Sequence, residues 1–198
     1  MLVLVKVGKV RMSLDTRSRM IDAAVHALRH HGVAGMSFTD VLADSGGARG
    51  AIYHHFPGGK AELVTEAAVR NGAEVRARLA GLPGATPIEV VDAFLALIRP
   101  VVAESTGGSG CAVAAVALGG DGGGPLEQIA AGAFSSWIAT LAERLTAAGL
   151  AEGEADGLAT TLITVLEGAH VLCRAAGSLE PYERAARTIA GLVRSAGR

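Results

Sequence analysis

Thr39-Asp-Val-Leu-Ala-Asp-Ser-Gly-Gly-Ala-Arg-Gly-Ala-Ile-Tyr-His-His-Phe56, followed by Pro57-Gly58-Gly59-Lys60, decides how the chain begins to fold. Val41 and Leu42 sit on a short helical segment that Gly46 and Gly47 break. A second segment, Arg49 to Phe56, is stopped by Pro57-Gly58-Gly59. Two short helices around a glycine turn, resting on an earlier helix, make a helix-turn-helix. The earlier helix is predicted over 16–31, where Met20, Ile21, Ala24, Val25, Ala27 and Leu28 recur at three- and four-residue spacing. Asp15 or Thr16 is positioned to cap it and Gly32 to end it; Ser37 or Thr39 caps the next.

Outward from this head the chain reads as helices only. A long helix is predicted from Lys60 to about Leu82, closed by Gly81 and Pro83, and another over 88–104, which Pro100 should kink or shorten. Residues 111–118 are fully apolar and are read as a buried helix, because no strand exists to pair with them. The glycine run 119–124 fits neither phosphate-binding fingerprint and is read as a connector. Helices follow over 125–148, 152–176 and 181–195. The expected fold is all-α. Residues 1–12 are read as a disordered arm, 13–60 as a helix-turn-helix domain and 61–198 as a helical ligand-binding and dimerisation domain.

The chain has 198 residues, half of them apolar and 19% charged, enough for a sizeable core. No uninterrupted apolar run reaches the roughly 18 residues that cross a bilayer. The N-terminal apolar stretch is too short for a signal peptide. Two cysteines, Cys111 and Cys173, are too few for a disulfide framework and fit a reducing compartment. These readings predict a cytoplasmic protein with no membrane partner.

Charge is divided unevenly. Residues 1–60 hold eight Lys/Arg against four Asp/Glu, net +4, with five of the six histidines; residues 61–198 hold ten against fifteen, net −5. A basic head on an acidic body fits a nucleic-acid-binding module joined to another domain. Small residues at 48, 50 and 51 let the second helix approach a duplex closely, and Arg49 is placed to reach a guanine edge. Tyr53, His54 and Lys60 can donate to phosphates. Tyr53 alternatively closes the head's core, and Arg49 alternatively is a solvated charge. His54 and His55 are adjacent and cannot both face one metal, so no metal and no cofactor are expected.

These residues resemble the tetracycline-repressor (TetR/AcrR) family. The carrying features are Gly46-x-x-x-Gly50, Ile52-Tyr53-His54-His55-Phe56, Lys60 with Leu63, and the helix ending in His31-Gly32, over about residues 16–66. Phe56-Pro-Gly-Gly-Lys60 and Gly110-Cys-Ala-Val-Ala-Ala-Val116 are similar to a narrower branch with the lincomycin-resistance-repressor (LmrA/YxaF-like) C-terminal domain. The resemblance implies a homodimer on a palindromic operator in double-stranded DNA, with Arg17, Thr39, Ala48, Arg49, Gly50, Ala51, Tyr53, His54 and Lys60 at the DNA. Ala48 and Ala51 depart from the family, which often has hydroxyl residues there. Base reading then leans on Arg49, with Ala51 against a thymine methyl.

The body is apolar but poor in large aromatics, which favours a cavity between helices for a small-molecule effector. The expected wall is Phe94, Ile98, Cys111, Phe134, Trp137, Ile138, Leu141, Leu162, Val165, Leu166 and His170. His170 and Trp137 also fit a plain core, and both cysteines fit structural thiols better than a redox pair. Leu158, Leu162, Val165, Ala169 and Leu172, then Ile189, Leu192 and Val193, form apolar rows beyond what one small domain needs, and the resemblance places the dimer interface there. The function expected is a ligand-released repressor. Rivals are a helical interaction protein with degenerate DNA binding and an enzyme, although no nucleophile elbow, HExxH or spaced carboxylate pair is present.

Overall fold

The computed structural model describes residues 2–48, 50–120 and 123–196; the side chains of 2–14 lie outside that description. Among the described residues every regular element is helical. The head comprises α1 (Leu2–Gly35), α2 (Phe38–Ser45) and α3 (Ala51–His55). The body comprises α4 (Gly59–Ala80), α5 (Pro87–Ala103), a 3-10 turn (Glu104–Gly107), α6 (Ala112–Leu118), α7 (Pro125–Ala147), α8 (Glu152–Ala176) and α9 (Glu180–Ala196).

Most helix ends lie where the sequence puts them. Gly32 breaks α1 with φ +67°, and Met36 N–H then reaches back to the Gly32 carbonyl (3.1 Å). Of the two candidate caps for α2 it is Ser37 whose side chain accepts, from Thr39 N–H at 3.1 Å. Gly46, at φ +67°, closes α2 in a conformation that costs a residue with a Cβ. Pro87 opens α5 behind a Thr86–Glu89 capping box, and the backbone N–H groups of Ala85 and Thr86 hold the Glu89 carboxyl below its usual range.

Three expectations shift. Helical backbone runs from Leu2 rather than from Thr16, through the stretch read as a disordered arm. Asp15 therefore lies inside the helix, where it pairs with Arg19 one turn on (2.6 Å) instead of capping. Pro100 does not end α5, which continues to Ala103 before tightening into the 3-10 turn. The apolar segment 112–118 is indeed a helix, with Val113 and Val116 fully buried.

The head core is Met20, Leu28, Val41, Ile52, Phe56 and Leu63, each essentially inaccessible. It joins without a break the body core of Phe94, Val113, Trp137, Leu141, Leu145 and Leu162. The long α4 packs on α1 in the head and on α7 in the body, and α6 lies between α1 and α7. Gly119 makes that last approach possible: a Cβ there would sit 2.8 Å from Val33 Cβ on α1. By length and composition α8 could cross a bilayer, but its inward row (Leu162, Leu166, Ala169, Cys173) is packed in the core beside α7 and α9.

Candidate nucleic-acid interface and body cavity

The turn between α2 and α3 is held from below. Gly47 N–H bonds to the Leu42 carbonyl (3.1 Å), Arg19 Nε donates to the Ser45 carbonyl (3.1 Å), and Ala51 N–H bonds to Ala48 O (2.8 Å). Ile52 and Phe56 anchor α3 in the head core, so its other side faces outward. Thr39, Ala48, Gly50 and His54 are exposed, and Ala51 is half-buried. Tyr53 is 66% exposed with its ring edge-on to Phe38 at 5.8 Å, so it does not close the core. Gly50 is the N-cap of α3 and, as glycine, offers no side-chain capping bond. Arg49 lies outside the described residues.

Two predicted contacts are already engaged. Arg17 is ion-paired with Glu66 and stacks over the Phe56 ring at 4.9 Å, which ties α1 to α4. Lys60 Nζ lies 3.4 Å from the Ala34 carbonyl. Partial burial, then the charges of His54 and Arg17, holds the His55 imidazole below its usual pKa. His26 and His30 stack at 4.4 Å on α1, yet no group of three metal-ligating side chains occurs among the described residues.

In the body a cavity of about 220 Å³ opens between α1, α4, α5, α7 and α8. Of the residues expected in a cavity wall, Phe94, Ile98, Cys111, Trp137, Leu166 and His170 line it. Phe134, Ile138, Leu141, Leu162 and Val165 do not. Leu141 and Leu162 are sealed in the core, and Phe134 packs edge-on against the far side of Trp137 (5.1 Å). These five share helices with lining residues but fall on other faces.

Val25, Arg29, Asn71, Glu74, Val75, Arg78, Leu79, Leu97, Val101 and Glu167 were not foreseen. Glu167 carried a signal: it is a carboxylate in an apolar helix, three residues before His170. Burial lifts its pKa to about 7, against a hydrogen bond from the Cys111 thiol, and Oε1 is buried without a partner. The same burial keeps the Cys111 thiol protonated. His170 Nδ1 lies 2.6 Å from Ser105 Oγ, and burial, then the Arg29 charge, lowers its pKa to about 4.

Arg29 links the cavity to the head. Its Nη2 donates to Glu104 (2.6 Å) and its Nε to the Gly110 carbonyl (3.1 Å), while Gly110 N–H donates to the Arg29 carbonyl (2.8 Å). Trp137 Nε1 donates to the Gly72 carbonyl (2.8 Å), and Arg144 donates to the Leu82 carbonyl (2.8 Å). One face of α4 and the loop after it are thereby fixed to α7.

Residues 20–67 match the family described as bacterial regulatory proteins, tetR family, and residues 87–188 match the transcriptional regulator LmrA/YxaF-like C-terminal domain. The chain belongs to the TetR family. Its family and relatives are DNA-binding transcriptional regulators, not enzymes. It is 32% identical over 183 residues to the HTH-type transcriptional regulator Rv0196 of Mycobacterium tuberculosis, covering 89% of this chain and 93% of that one. It is 27% identical over 173 residues to the HTH-type transcriptional regulator LmrA of Bacillus subtilis, covering 84% and 90%. A TetR transcriptional regulator from Chloroflexus aurantiacus superimposes with a TM-score of 0.75 at 29% identity, covering 93% and 96%.

In this TetR-family chain the predicted dimer rows divide. Leu162, Ala169 and Ile189 face the chain's own core, so they are not available to a partner. Leu158, Val165 and Val193 are half-buried. Leu172 and Leu192 are 58% and 66% exposed, and the neighbouring Val171, not foreseen, is 67% exposed. The row on α8 is thus shared between the chain's own core, which takes Leu162 and Ala169, and the surface, where Leu172 lies.

Proposed function

We propose that this TetR-family regulator is a cytoplasmic homodimeric repressor that holds a palindromic operator through α2 and α3 and lets go when a small effector fills the body cavity. Residues 13–60 act as the DNA-binding unit and 61–198 as the sensing and dimerising unit. Outward-facing Thr39, Ala48, Gly50, Ala51, Tyr53 and His54, with Arg49, meet the duplex. Tyr53 and His54 donate to phosphates and Arg49 reads a base edge. Arg17 and Lys60 act at the margin of this surface, Arg17 chiefly by fixing α1 against α4.

The observation that carries the reading is Arg29. It lines the cavity and belongs to the first helix of the head. Occupation of the cavity presses on Arg29 and its partners Glu104 and Gly110, and so on α1. α4, packed on both units, moves with it. In the dimer, formed through the exposed ends of α8 and α9, this alters the separation of two α3 helices that sit about one duplex turn, or a multiple of one, apart.

The test is a gel shift on DNA flanking the chain's own gene at two salt concentrations, with native protein and Arg49→Ala, repeated with small apolar compounds. A retained palindromic fragment, a steep salt dependence, loss on Arg49→Ala and release by a compound support the reading. Absence of binding to any palindromic fragment, or release by no compound, defeats it.

A further inference from the structure

The body cavity combines apolar walls with one buried carboxylate oxygen that has no partner among the described residues. Val75, Leu79, Phe94, Leu97, Ile98 and Trp137 supply the apolar surface. The ionisable groups around it are accounted for one by one. Arg29 is spent on Glu104 and the Gly110 carbonyl. His170 is neutral and bonded to Ser105. Glu74 is paired with Arg70 (3.5 Å), and the Cys111 thiol stays protonated against the Glu167 carboxyl. Arg78 is exposed, and Asn71 carries no charge. Of these groups, Glu167 is left with a buried carboxylate oxygen, Oε1, that nothing among the described residues satisfies.

A buried carboxylate oxygen without a donor is costly, and a charged donor is the partner that offsets most of that cost. We propose that the effector is a cationic amine: an apolar body that occupies the Phe94–Trp137 side of the cavity and carries one protonated nitrogen whose N–H donates to Glu167 Oε1. This inference rests on the reading of the cavity as the effector site. A carboxylate ligand has no hydrogen to offer Glu167 Oε1. A neutral apolar ligand would leave Oε1 dry and unpaired. The bound cation would also favour the ionised form of Glu167, whose pKa burial otherwise holds at about 7, so binding at neutral pH releases protons. Arg29, Arg78, Glu74, His170 and Cys111 are the other ionisable groups facing the cavity, and none has both a free valence and burial.

The probes are phenylbutylamine, phenylbutanol and phenylbutyrate, which share one apolar body and differ in head group. Trp137 is the sole tryptophan and lines the cavity, so its emission reports occupancy; calorimetry in two buffers reports proton release. Native protein should bind the amine about tenfold or more tighter than the alcohol, with the carboxylate weakest, and with protons released by the amine alone. Glu167→Gln should lower amine affinity to that of the alcohol while leaving the alcohol within about twofold; Glu167→Asp should keep the preference for the amine. If the alcohol or carboxylate binds native protein as tightly as the amine, or Glu167→Gln leaves amine affinity unchanged, the cationic assignment is overturned and the cavity remains an effector site. If none of the three changes Trp137 emission or yields heat, the assignment and the effector-site reading fall together.

Discussion

Glu167 and His170 lie three residues apart on α8 and titrate in opposing senses. For Glu167 burial raises the folded pKa to about 7, above an ordinary carboxyl of 4.5, so the folded chain binds the extra proton. Its contribution to stability is complete below pH 4.5 and is lost as pH rises through about 7, by up to about 3 kcal/mol. For His170 burial lowers the folded pKa from 6.5 to about 4, so stability is lost as pH falls across that window. Denaturant unfolding of Glu167→Gln between pH 4.5 and 8 should show a stability difference from native that shifts in favour of the variant as pH rises; a constant difference would mean that Glu167 does not titrate in its site. His170→Asn should flatten the acid side instead. Arg29 has a different weight. Arg29→Met removes the bonds to Glu104 and the Gly110 carbonyl but leaves the backbone bond from Gly110 N–H. Operator affinity without effector should stay within about threefold, while the effector-induced drop, typically 5- to 150-fold in allosteric proteins, shrinks toward unity. Fluorescence-anisotropy titration of labelled operator with and without effector measures both.

At the scale of elements, the contact of α6 with α1 is a close link between head and body. Gly119→Ala puts a Cβ 2.8 Å from Val33 Cβ and 2.9 Å from the Ala115 carbonyl, and should cost about 1–3 kcal/mol. Val33→Ala in the same chain should recover part of that loss, a coupling that thermal melts of the two single variants and the double variant reveal. The helices themselves were legible from sequence because their ends are written in local chemistry: Ser37 and Gly46 around α2, Pro87 at the start of α5, Pro125 at the start of α7. The faces were less so. Periodicity says that α8 has an apolar stripe, not which neighbour it meets, so Leu162 was assigned to cavity and dimer when it belongs to the core. Arg29 was invisible for a related reason. Its role depends on Glu104 and Gly110, 75 and 81 residues away, and no local pattern reports such a meeting.

At the scale of the whole molecule, the exposed Val171, Leu172 and Leu192 are the side chains on which the proposed homodimer rests. Leu172→Glu with Leu192→Glu should leave the helical content and melting curve of the protomer intact, because neither side chain is buried in it. Sedimentation should then show monomer, and operator affinity should fall by more than a factor of about 100, since one head loses the gain from its tethered twin. A monomeric variant that still holds the operator at native affinity would exclude a two-fold reading mode. The unbroken core from Met20 through Phe56 and Leu63 to Trp137 has a separate bearing on how such regulators diversify. Arg17 with Glu66, Arg70 with Ser18, and Gly119 with Val33 all straddle the seam. Chimaeras that graft a foreign head at residue 60 must therefore import the matching surfaces of α4 and α6, whereas exchange of the outward residues of α2 and α3 leaves the seam untouched.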